Sequence, residues 1–286
     1  MPSLIDIRRR IRSVKNTQQI TKAMKMVSAA KLRRAQDRVI AARPYGLMLR
    51  KVLANVASSA ARDVEAGQNP LLAVRPEQRI LLVLITSDKG LAGAFNSNLI
   101  KGVQRFLEQH PAATVTLELI GRKGRDFFRK RRARISGDHI NLAARPAYHD
   151  TAAIARKAMA MYGQAEIDAV YLVYNQFKSV VAQTLTLARV LPGEVSGGTE
   201  PVDYIFEQPP ADMLNELIPR YVEMEFFRAL LESTAAEHAA RMTAMDAATS
   251  NAEDMIDRLT LFMNRVRQAS ITKEIIEVVS GAAAAE

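Results

Sequence analysis

The chain has 286 residues, 48% of them apolar, and a formal net charge of +10. With no cysteine it holds no disulfide framework, no thiol nucleophile and no Cys-ligated zinc, and its four histidines (His110, His139, His149, His238) show no ligand-like spacing. The longest clean apolar run, Ile80–Ile85, falls far short of the ~20 residues that span a bilayer, and no hydrophobic leader opens the chain.

Charge and backbone punctuation are both unevenly distributed. Residues 1–43 carry 12 Lys and Arg against 2 Asp and Glu, which leaves 28 of each sign in the remainder. The whole excess of +10 therefore belongs to one segment, which points to an acidic partner: nucleic acid, anionic lipid or acidic protein loops. Of the 13 Gly and 11 Pro, only Pro2 and Gly281 lie outside Pro44–Pro219. Both ends are thus free to form long unbroken helices.

In chain order, residues 3–43 predict one basic helix of roughly 60 Å. Leu4, Ile7, Ile11 and Val14 form a coiled-coil seam. The same register then meets Gln18, Thr21, Lys25 and Ser28, while Ile20, Met24 and Val27 are the apolar residues, before Leu32, Ala35 and Val39 restore it. This pattern predicts a stutter in a helix whose middle faces something other than its coil partner. Pro44 is expected to break or kink the helix, with helical periodicity resuming over 45–66 through Leu49, Val52 and Val56.

The middle alternates strands with helices. Gln78–Thr86, Thr114–Ile120, Ala169–Tyr174 and Thr184–Val190 read as strands, with Tyr204–Phe206 as a short last one. Phe95–Gln109, Lys123–Arg131 and Asp150–Ala165 read as helices. That order predicts a Rossmann-like α/β domain with a mainly parallel sheet. The loop Thr86–Gly93 lies where nucleotide folds hold phosphate, but it matches neither G-x-G-x-x-G nor G-x-x-x-x-G-K-[ST]. A tight turn that needs Gly at positive φ is the favoured reading. No Ser/His/Asp set, metal spacing or catalytic carboxylate pair is present, and Glu253, Asp254 and Asp257 read as solvated charge.

Residues 220–280 predict a second helix of roughly 90 Å. Phe226, Phe227, Leu230 and Leu231 form a patch suited to packing on the α/β domain. Met245, Ala248, Ala252, Met255, Leu259, Phe262, Val266, Ala269 and Ile276 read as a heptad seam interrupted by Lys273, and the chain ends in a tip of small side chains, Ser280–Glu286. Neither terminal seam can stay bare in water, so the two are expected to pair as a long antiparallel two-helix coiled coil; pairing with other chains is the alternative. The expected organisation is a basic coil helix over 1–66, an α/β domain over 67–210, and a long C-terminal coil helix over 211–286.

Three segments carry a resemblance. Ile7–Gln36 (IRRRIRSVKNTQQITKAMKMVSAAKLRRAQ) resembles the N-terminal signature of the gamma subunit of F-type ATP synthases. Ala240–Ile256 and Arg267–Ala284 resemble the C-terminal signature, and Ile85–Asn96 (ITSDKGLAGAFN) resembles the first strand–turn motif. The resemblance implies a non-catalytic rotor shaft, with no cofactor and no direct nucleotide binding. It turns inside a ring of alpha and beta subunits and contacts the epsilon subunit and the membrane c-ring. Met24 and Lys25 match the position facing acidic loops of the catalytic subunits, while Arg241, Arg267, Gln268, Thr272 and Glu274 match positions tied to coupling. A small-residue tip suits rotation in an apolar sleeve.

With no visible leader, a bacterial inner membrane is the expected site, on its cytoplasmic side and peripheral. The absence of cysteine departs from photosynthetic members that carry a redox-switch insertion. Two other classes compete with this reading. A basic coiled-coil nucleic-acid binder would exploit Arg8–Arg43, but that segment has no aromatic residue for stacking until Tyr45. A nucleotide-dependent enzyme would rest on the Asp88–Gly93 loop alone.

Overall fold

The structure is a computed structural model that describes residues 3–60, 69–193 and 208–283. Two compact units are distinguished, one from Met1–Ser28 and Met242–Glu286, the other from Ala29–Arg241. The first unit joins the start of helix α1 (Leu4–Ala60) to the end of helix α5 (Pro210–Ala283). Thr21 meets Thr249 and Lys25 meets Asp246, so residue numbers rise on one helix as they fall on the other. The pairing is antiparallel.

The inward positions of α1 follow one uninterrupted 3-4 spacing: Leu4, Ile7, Ile11, Val14, Gln18, Thr21, Lys25, Ser28, Leu32, Ala35 and Val39 are all buried or half-buried. The expected stutter is absent. Thr21 and Ser28 are buried while Ile20, Met26 and Val27 are exposed. Thr21 holds its seam position because its hydroxyl finds partners there: Oγ1 lies 3.0 Å from the Gln18 carbonyl and 2.8 Å from Thr249 Oγ1. The seam of α5 also differs from expectation. Met245, Ala252, Ile256, Leu259 and Met263 turn inward, whereas Met255, Phe262 and Ile276 are exposed. The apolar choices at neighbouring positions 255/256 and 262/263 leave a hydropathy pattern that fits two registers.

Neither proline ends its helix: α1 continues through Pro44, and α5 contains Pro219 and begins at Pro210. A proline removes one i→i−4 bond, and the burial of Ile218 and Val222 next to Pro219, and of Val39 and Leu49 around Pro44, offsets that loss.

The second unit is built on a five-stranded sheet: β1 (Arg79–Ile85), β2 (Thr114–Ile120), β3 (Ile135–His139), β4 (Ala169–Phe177) and β5 (Gln183–Leu191), in the order β3-β2-β1-β4-β5. All neighbours are parallel except β4 and β5, which are antiparallel. On one face, Leu81, Val83 and Ile85 join a core with α4 (Tyr148–Gly163), α1 residues Leu53 and Val56, and α5 residues from Leu214 to Leu230. The buried residues of α2 (Phe95–Gln109) and of α3 (Arg122–Lys130) serve the sheet as well. A strand covered on both faces must be apolar throughout, as Ile80–Ile85 is. Arg79 and Asp168 fasten the starts of β1 and β4 with a two-pronged guanidinium–carboxylate pair at 2.7 and 3.1 Å.

Strand β3 was not expected from the sequence. ISGDH has little strand propensity, yet Gly137 is required because a Cβ there would overlap the Glu118 carboxylate. The strand expected at Tyr204–Phe206 lies outside the described residues.

Candidate functional site

In the coil unit, Met24 and Lys25 are half-buried on α1 beside the Thr21–Thr249 contact. Lys25 Nζ stands 2.5 Å from Asp246 Oδ1, with both side chains substantially exposed. Such a pair contributes only ~0–1 kcal/mol and can be exchanged for another carboxylate. Along α5, Arg267 is 21 residues past Asp246, roughly 30 Å. Arg267, Gln268, Thr272 and Glu274 are all exposed there, with hydrogen bonds confined to their own helix: Thr272 Oγ1 donates to the Gln268 carbonyl, and Ser270 donates to Glu274. These two groups are separate surfaces of one coil.

Arg241 belongs to the other unit and is a hub. Its guanidinium donates to Glu237 Oε1 at 2.6 Å and to the Gly90 carbonyl at 3.3 Å. His238 Nδ1 lies 3.4 Å from Arg241 Nη1. A guanidinium only donates, so Nδ1 accepts and the ring hydrogen sits on Nε2. Burial, with Arg241 and Lys31 nearby, pushes His238 down to about 4, and the ring is neutral near pH 7. Burial raises the Glu237 carboxyl above its ordinary value, while Arg241 pulls the other way.

The Thr86–Gly93 loop that Arg241 touches is filled by the chain's own groups. Asp88 accepts from the backbone N–H of Arg122 at the start of α3 and from that of Asn141, each at 3.0 Å. Its carboxylate thus caps the start of α3, the helix after β2, and ties the loop to it. Ser87 and Asn96 close the loop from inside, and Gly93 has φ +54°, as the tight-turn reading requires.

Sequence reasoning missed the buried acids of α5. Glu223 takes Tyr148 and Arg156, each at 2.6 Å, and burial with that glutamate pushes Tyr148 up to about 12. Glu225 takes Arg50 and Arg228; Glu232 takes the Phe177 N–H at 3.0 Å and Arg43 at 3.6 Å. A row of glutamates on a helix ordinarily signals a solvated face. The one clue was their placement among the apolar residues Val222–Leu231.

Among the described residues no group of three His, Cys, Asp or Glu could hold a metal, and no helix is long and apolar enough to cross a membrane. The structure defines a class of α/β protein whose two terminal helices form an antiparallel coil and whose β1–α2 loop is held by its own side chains. The ATP synthase family profile matches residues 3–285, and the chain belongs to the ATP synthase gamma-chain family. The ATP synthase gamma chain of Solibacter usitatus (strain Ellin6076) is 75% identical over 100% of both chains. That of Pelotomaculum thermopropionicum is 50% identical, also over 100% of both. A chain of the Tetrahymena thermophila mitochondrial ATP synthase central stalk and c-ring structure is 26% identical with a TM-score of 0.61, covering 80% of this chain and 99% of its own. A chain of the Euglena gracilis mitochondrial enzyme shares the fold at 19% identity and a TM-score of 0.67, covering 98% of this chain and 94% of its own.

Proposed function

We infer that this chain is the non-catalytic central rotor shaft of a proton-translocating F-type ATP synthase. It carries the rotation of the c-ring to the catalytic ring of alpha and beta subunits and so couples proton flow to ATP synthesis. The observation that carries this is full-length identity of 75% to a gamma chain, in a protein whose terminal helices pair as the antiparallel coil such a shaft needs. Torque demands a stiff element, and the start of α1 paired with the end of α5 in the coil unit supplies it. The epsilon subunit and the c-ring are the partners expected at the α/β domain.

Lys25, with Met24 beside it, is the contact for acidic loops of the catalytic subunits; its half-exposed pair with Asp246 is weak enough to be exchanged at each step. Arg267, Gln268, Thr272 and Glu274 contact the ring near the coil end. Arg241 has a different local task, fastening α5 to the Thr86–Gly93 loop, through which it acts on coupling. The division into a basic helix over 1–66, a domain over 67–210 and a C-terminal helix over 211–286 belongs to the same reading. So does a peripheral place on the cytoplasmic side of a bacterial inner membrane, supported by the bacterial origin of the two gamma-chain relatives named above.

Reconstitution tests the proposal. Alpha and beta subunits mixed with this chain should form a complex with one copy of it, and ATP hydrolysis should rotate a bead attached to the α/β domain. Turnover of ATP by the chain alone, or a ring that excludes it, would overturn the reading.

A further inference from the structure

A cleft of about 260 Å³ in the α/β unit is lined by Lys31, Arg34 and Arg38 of α1, by Arg145 from the loop before α4, and by Thr234 and His238 of α5. Lys31, Arg34 and Arg38 recur at helical spacing along one side, and Arg145 comes from a distant part of the chain. Among the described residues none of these four cations is within 4 Å of a carboxylate oxygen. A second cleft offers the contrast: Arg43, Arg50 and Arg228 line it together with Glu225 and Glu232, and each of the three arginines is paired with one of these two glutamates. Glu237 is close enough to Lys31 to feel its charge, but its ion pair is with Arg241.

We propose that this cleft binds a condensed phosphate, a short chain of phosphoryl groups bearing several negative charges. Like charges converging on a concave surface repel, and a bound polyanion relieves that repulsion where field lines are focused. Three guanidinium forks match phosphate oxygens two at a time, which single-point ammonium groups do not. His238 adds an uncharged Nε2–H donor whose tautomer the Arg241 contact fixes. The concave shape favours a compact polyanion over an extended acidic peptide. The phosphate chain could be inorganic or the tail of a nucleotide; the recognition is of the phosphates alone, with no part played by base or ribose, and in admitting a nucleotide tail it departs from the expected absence of direct nucleotide binding.

The test is calorimetric titration of the purified full chain with inorganic triphosphate. One saturable site is expected, weakened at least about tenfold in Arg34→Ala/Arg145→Ala. Both side chains are exposed, so thermal unfolding should be unchanged. Arg145→Lys keeps the charge and loses the fork, and an intermediate loss is expected. The control Arg10→Ala/Arg12→Ala removes the same charge from elsewhere on α1 and should change affinity less than about twofold. ATP should bind within about threefold of triphosphate, and orthophosphate at least about tenfold more weakly. No saturable binding, an equal loss in the control, orthophosphate as tight as triphosphate, or a large preference for ATP would each overturn the proposal.

Discussion

Glu118 lies on β2 with 1% of its surface exposed, accepting from His139 Nε2 at 2.7 Å and Lys157 Nζ at 2.9 Å. Burial pushes its carboxyl up, but the two hydrogen bonds and their charges win, and the net shift is downward from the ordinary 4.5. A carboxyl whose pKa is lowered by folding stabilises the fold above its ordinary value. That contribution is lost as pH falls through the folded value. Asp168, lowered by Arg79, adds in the same direction. Urea midpoints should therefore fall steeply below pH 4.5 in the native chain, and Glu118→Gln should flatten that limb while lowering stability near pH 7 by about 2 kcal/mol. An unchanged acid limb would show that the cluster does not govern it. Gly121 is a second sensitive residue: φ is +97°, and a Cβ would overlap the Thr86 carbonyl. Gly121→Ala should cost about 2 kcal/mol or more in the same measurement. Neither residue announces itself in the sequence. A buried carboxylate and a solvated one are spelled alike, and a glycine's φ is not written in its neighbours. The contacts of Asp88 with the start of α3 and with Asn141 were equally hidden.

At the scale of elements, strong periodicity was legible and compensated polarity was not. Strand β1 and helix α2 fall where the apolar run and the helical pattern place them. The coil register was obscured because hydropathy favours Ile20 and Val27, whereas Thr21, with a hydroxyl partner on α5, and the small Ser28 take the inward positions. Polar seam positions cost stability and define which residues face one another. Ile20→Ala should then leave stability within ~0.5 kcal/mol, because its side chain is exposed and Ala suits a helix. Ser28→Asp should cost more than ~2 kcal/mol by burying a charge. The opposite ranking in denaturant titrations would restore the stutter. Edge strand β3 was illegible for another reason: its residues are half-buried and its single neighbour, β2, supplies the Glu118 contact that its composition does not foreshadow.

At the scale of the whole molecule, a shaft must be rigid where it carries torque and covered where it is apolar. Inward positions on α5 continue to Ser270, whereas every residue from 271 to 280 is exposed, including Ile271, Ile275, Ile276, Val278 and Val279. A single helix of that length has no partner to bury its side chains, and isolated helices shorter than ~12–15 residues are marginal in water. In the free chain, amide hydrogens of 271–280 should exchange within seconds while those of 245–266 are protected. Assembly with alpha and beta subunits should slow the terminal segment at least about tenfold, since covering the apolar side chains adds the burial the lone helix lacks. Hydrogen-exchange mass spectrometry on the free chain and on the complex reads both states. Slow exchange at 271–280 in the free chain would mean that the helix end is stabilised without the ring. Fast exchange persisting in the complex would mean that the ring does not enclose it, and the apolar bearing would have to lie elsewhere on the coil.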